Sequence, residues 1–89
     1  MKNYIIICDT ENQSIAVQMT LLAFGATWVS GTNFAQNTDK PVLVFDDLNR
    51  DERAISYHEA IMTDEYKKCS CYRNHKTMTA IEFLRKRKI

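Results

Sequence analysis

Two short runs, NYIIICD (Asn3–Asp9) and VLVFDD (Val42–Asp47), limit the fold more than any other feature of this chain. Both are short and rich in β-branched or aromatic residues, so both read as strands. In the first, Tyr4, Ile6 and Cys8 stand on one alternation, and Ile5 and Ile7 on the other. A strand that is apolar on both faces belongs inside a sheet that is covered twice. With 89 residues the chain makes one domain, residues 1–89, which buries only a modest share of its surface.

Between the two strands lies a helix. Thr10 and Gln13 have capping-box spacing, and Glu11 suits the positive end of the helix dipole. Ile15, Met19 and Leu22 form one stripe and Val17, Leu21 and Phe24 an adjacent one, leaving Glu11, Ser14 and Gln18 as the expected wet face. Gly25 stands where a left-handed residue ends a helix. The next residues, ATWVS, read as a strand with Trp28 beside Ala26 and Ser30. A polar loop, Gly31–Pro41, exceeds the usual connection length, and long ordered loops often carry function.

AISYHE (Ala54–Glu59) reads as a weaker strand, and KCSCY (Lys68–Tyr72) as a short edge strand. Thr79 and Glu82 form a second capping box, Met78 and Phe83 stand at staple positions, and Ile81, Leu84 and Ile89 give the last helix an expected apolar side. The order is β-α-β-β-β-(β)-α. It predicts an α+β, two-layer domain: a small, mostly antiparallel sheet with two helices on one face. The helices cover one face only. A homo-oligomer is the simplest cover for the other, and a long loop folded over it is the rival.

Charge is divided along the chain. Residues 1–66 hold four Lys/Arg against ten Asp/Glu, a balance of −6, and residues 67–89 hold eight against one, a balance of +7. The halves either attract within one fold or leave a basic segment for an anion. The three cysteines, Cys8, Cys69 and Cys71, are an odd number, which suits free thiols in a reducing cytoplasm better than a disulfide framework. No stretch reaches the length of a membrane span, and the N-terminal run lacks a cleavage site.

Catalytic and metal patterns are weak. Cys69-x-Cys71 with His58 and His75 misses the usual zinc spacing. The acids Asp46, Asp47, Asp51 and Glu52 lack the glycine and spaced oxygens of a calcium loop, and read as a solvated turn. No phosphate loop, dinucleotide fingerprint or nucleophile elbow is present, so the expectation is a protein that is not an enzyme and uses no cofactor.

Binding residues are easier to name. GATWVSG (Gly25–Gly31) holds the only tryptophan and both glycines. Trp28 offers a face for a nucleobase, and Ser30, Gly31 and Asn33 offer hydrogen bonds where the loop opens. Arg73, His75 and Lys76 offer cations for phosphate. The competing readings are a tryptophan packed under a helix and a solvated basic loop. The single basic run RKRK is weak ground for a nucleic-acid partner in a near-neutral chain.

The series LLAFGATWVSG, PVLVFDD, ISY and TAIEFL resembles small tailed-bacteriophage accessory proteins with an LG-x-x-W-x-SG segment and a C-terminal EFL helix. The likeness spans most of the chain. It departs at Phe24, where that set has leucine, and at His58, where a glycine often follows I-x-Y. The resemblance implies a phage protein acting in the host cytoplasm and countering host defence by binding. It also implies, as one form, sequestration of a small nucleotide signal between subunits. Inhibition of a host protein and binding of nucleic acid are the alternatives.

Overall fold

The structure is a computed structural model that describes residues 3–49, 52–59 and 75–86. Seven elements follow in order: β1 (Asn3–Ile7), α1 (Glu11–Ala23), β2 (Thr27–Trp28), β3 (Val42–Asn49), β4 (Glu52–His58), β5 (Lys76–Thr79) and α2 (Ala80–Leu84). The sheet order is β2-β4-β3-β1-β5. The long central pairings, β1 with β3 and β3 with β4, are antiparallel, and the short edge pairings, β1 with β5 and β2 with β4, are parallel. The fold is a two-layer α+β domain on a mixed sheet. The expected KCSCY strand lies outside the described residues, whereas Lys76–Thr79, read from sequence as the lead-in to a helix, is a strand.

Helix α1 begins and ends for local reasons. Thr10 is extended and accepts the Gln13 N–H at 3.1 Å. The Gln13 side chain reaches back past the cap and accepts from Asp9 N–H at 2.8 Å. At the other end Gly25 N–H donates to Leu22 C=O and Ala26 N–H to Leu21 C=O, the two bonds of a Schellman motif. Gly25 supplies the φ of +102° that this turn needs. No basic residue lies in the last turn of α1. Arg53 of β4 takes that place: its Nη1 donates to the Phe24 carbonyl at 2.8 Å, its guanidinium stacks 4.1 Å from the Phe24 ring centre, and its Nε pairs with Asp47. At α2 both halves of the Thr79–Glu82 capping box are formed.

Strand alternation sorts the core into two clusters. Tyr4, Ile6, Leu43, Phe45, Ile55 and Met78 face the helices, where Val17, Leu21 and Phe83 meet them. Tyr4 lies edge-on to Phe83 at 5.9 Å. Ile5, Val42 and Val44 occupy the opposite face and are no more than 1% exposed. That burial is reached within one chain, so the doubly apolar strands do not in themselves call for a second copy. The expected apolar side of the last helix is corrected: Ala80 and Phe83 turn inward, while Ile81 and Leu84 are exposed. The reason is the shortness of α2, whose inward pair follows directly from the strand β5 that fixes its entry.

Candidate binding site

Trp28 is the centre of the region that the sequence singles out. Its side chain lies on the helix-covered face and is only 2% exposed. The indole Nε1 donates to Gln18 Oε1 at 3.2 Å, and the ring stands edge-on to Tyr57 at 6.3 Å. A base stacked on this indole would first have to displace core side chains.

The partner of Trp28 corrects the sequence reading of α1. Ser14 and Gln18, expected in water, are fully buried, while Met19, expected inward, is 58% exposed. Gln18 is tolerated inside because its carboxamide is fully bonded. Nε2 donates to Ser14 Oγ at 3.0 Å and to Gln36 C=O at 2.8 Å, and Oε1 accepts from Trp28 Nε1 and from Gln36 N–H at 2.9 Å. An amide has two donors and one two-lone-pair acceptor, and all are used. This buried network holds the long loop against the helix.

Around Trp28 the chain turns sharply. Gly31 N–H donates to Trp28 C=O at 2.7 Å, and Gly31 adopts φ +92° with open space where a Cβ would stand. Trp28 N–H is taken by Thr32 C=O at 2.9 Å, so the outer edge of β2 is closed by its own chain. Ser30 is exposed and its hydroxyl pairs with that of Thr32, and Asn33 is exposed beyond them.

Two cavities flank the turn. One of about 340 Å³ is bordered by Thr27, Val29, Leu48, Glu52 and Ala54. The other, about 240 Å³, lies between Trp28, Ser30, Asn37, Ser56 and Tyr57. Val29 separates them and is 71% exposed. Leu48 is 53% exposed because it sits in the irregularity between Asp47 and Asn49, where β3 and β4 slip register. Lys40 stands 5.4 Å from the Tyr57 ring centre. Asp39, then Glu59, hold its ammonium above the ordinary lysine range. The cation near the smaller cavity thus arrives with two carboxylates around it, poor surroundings for a phosphate.

The residues expected to bind phosphate lie elsewhere. His75 immediately precedes β5, its side chain is 5% exposed, and its Nε2 pairs with Asp46. Lys76 is exposed on β5, opposite Tyr4 of β1. Arg73 lies outside the described residues, as do Cys69 and Cys71. Strands β2 and β5 are the two edges of the sheet, four strand steps or about 19 Å apart at the usual spacing. One chain therefore gathers Trp28, Ser30, Gly31 and Asn33 at one edge and places His75 and Lys76 at the other.

Sequence reasoning missed Gln18, Lys40 and Ser56, for which it had no signal. Tyr57 was legible as an aromatic residue that could add to the Trp28 face.

Cys8 is the cysteine among the described residues. Burial, aided by Asp9, pushes the Cys8 thiol up to about 11, which disfavours the nucleophilic thiolate. Among the described residues no group of three or more His, Cys, Asp or Glu is placed to hold a metal ion. No helix among them is long and apolar enough to cross a membrane. Comparison with protein families, with curated proteins and with solved structures returns no match.

Proposed function

We propose that this chain is a non-enzymatic phage accessory protein that inhibits a host defence factor by docking against it through the β2 side of the sheet. The observation that carries the reading is the exposed apolar group at that edge. Val29 and Leu48 border one groove, Phe34 stands 64% exposed on the adjoining loop, and all three exceed half exposure. Single exposed apolar residues are ordinary, but a group set around a rigidly braced turn is the usual mark of an interaction surface. The resemblance to tailed-phage accessory proteins supplies the host-cell setting.

Sequestration of a small nucleotide signal is the second reading. The 240 Å³ cavity favours it, because the polar residues Ser30 and Asn37 border it together with Trp28 and Tyr57. It requires a second copy to bring His75 and Lys76 to that cavity.

Affinity capture from infected cells, followed by reconstitution with the purified partner, separates the two. Docking predicts a stoichiometric protein complex weakened at least tenfold by Val29→Asp with Leu48→Asp. A complex indifferent to both substitutions, or a co-purifying nucleotide with no protein, overturns it.

A further inference from the structure

We infer that the place where β2 leaves the sheet is a strand-addition slot for an extended peptide segment of the protein partner. The inference deepens the docking reading and rests on it for the identity of the partner.

The argument begins with the direction of backbone groups. Val29 N–H donates to Ile55 C=O at 3.1 Å, so the polar groups of Ile55 point toward β2. Backbone groups of a strand alternate sides with a period of two, so those of Tyr57 point the same way. The next rung of a parallel ladder would join Tyr57 N–H to Val29 C=O. That rung is missing: β2 pairing stops at Trp28 opposite Ile55, because the chain turns through Ser30 and Gly31. Strand β4 continues to His58, and β3 covers its other side there through Leu43 and Val42. Among the described residues nothing accepts from Tyr57 N–H.

Space lies where the missing rung would be. The 240 Å³ cavity is bordered by Tyr57 and Ser56 on one side and by Val29 and Ser30 on the other. The braced loop closes it through Gln36 and Asn37, the latter left-handed at φ 52°. An open sheet edge accepts an added strand through main-chain bonds, with side-chain pockets supplying selectivity. Here the slot presents one N–H and one C=O of Tyr57, and the cavity beside them takes one side chain. Val29, at 71% exposure, offers apolar contact to the next residue outward. An extended peptide supplies the complementary C=O and N–H at the right spacing. A rigid small molecule filling the cavity would satisfy at most the side-chain part.

The test uses the full chain and a displayed library of random heptapeptides. Selected peptides are expected to shift the Tyr57 amide resonance and to bind Tyr57→Ala, which keeps the N–H. They are expected to bind Tyr57→Pro at least tenfold more weakly than Tyr57→Ala, since both variants lack the ring but only proline also lacks the outward-facing N–H. N-methylation of a single peptide residue is expected to abolish binding, a control that leaves the protein untouched if Tyr57→Pro folds poorly. No enriched peptide, equal binding to Tyr57→Pro, indifference to every N-methylation, or a strongly protected Tyr57 amide in the free protein each overturns the slot. A host partner that binds folded Tyr57→Pro as well as wild type removes the slot while leaving docking intact. Peptides that add beside Tyr57 without any host partner leave the slot and remove the docking reading.

Discussion

The Gln18 carboxamide and the Trp28 indole meet inside the helix–sheet interface, with Nε1 donating to Oε1 across 3.2 Å. This contact decides which face of α1 is inward and which way the only tryptophan points. It also decides where the long loop lies, because Gln36 shares the same carboxamide.

Replacing Gln18 by Met keeps the volume but removes every bond of the network. Trp28 N–H and Ser14 Oγ are then left in a dry interior, and the loop loses its tie. The expected loss is about 2–4 kcal/mol, since each unsatisfied buried group costs roughly 1–3 kcal/mol. Urea titration measures it, and amide exchange at Gln36 should accelerate together with it. Met19→Gln, on the exposed face, should stay within about 0.5 kcal/mol of wild type.

Arg53 joins α1 to the sheet through three different contacts. Arg53→Ala should cost about 1–3 kcal/mol, because charged groups at part-buried hydrogen bonds contribute about that much. Arg53→Lys should recover only part of it, since an ammonium cannot bond Phe24 C=O and Asp47 in the same plane that stacks on the Phe24 ring. Thermal melts of the three proteins give the ranking.

Gly25→Ala places a Cβ 3.2 Å from Arg53 Nη1 at a φ that side chains rarely adopt. Strain of order 1–2 kcal/mol is expected. Gly31→Ala has the same kind of φ but open space, so it should cost less than Gly25→Ala in the same denaturation assay.

Cys8 links stability to alkaline pH. Its thiol ionises near 9.0 without the fold and near 11 within it, raised first by burial and then by Asp9. The fold favours the protonated form, so this contribution is full below pH 9 and is lost as pH rises toward 11. Wild type should therefore lose more stability than Cys8→Ala between those values. At neutral pH, labelling of Cys8 by iodoacetamide should be slow until urea unfolds the chain.

Elements governed by neighbours in sequence were legible. The Thr10 and Thr79 caps, the Gly25 stop and the alternation of β1 and β3 each depend on residues within about one turn or one strand. What distant partners decide was not legible. Periodicity sends Ser14 and Gln18 to water by default, and only Trp28 and Gln36, ten and eighteen residues onward, make burial affordable. Strand β5 has no alternation of its own and is a strand because β1, some seventy residues earlier, offers it an edge. The proposed site divided for the same reason: strand order, which no local pattern encodes, put Trp28 and His75 at opposite margins.

The order β2-β4-β3-β1-β5 also sets a timetable. The first strand made is flanked on both sides by strands made later, β3 from Val42 and β5 from Lys76. At ~5–20 residues per second of synthesis, the second edge of Asn3–Ile7 waits roughly 4–14 s for its partner. During that interval Ile5, Ile6 and Ile7 stand next to an open backbone edge, the combination most prone to pairing with a neighbouring nascent chain. The yield of this protein in a cell therefore depends on how fast residues 42–79 follow, and slowing translation across them should raise the insoluble fraction without changing the stability of the finished fold.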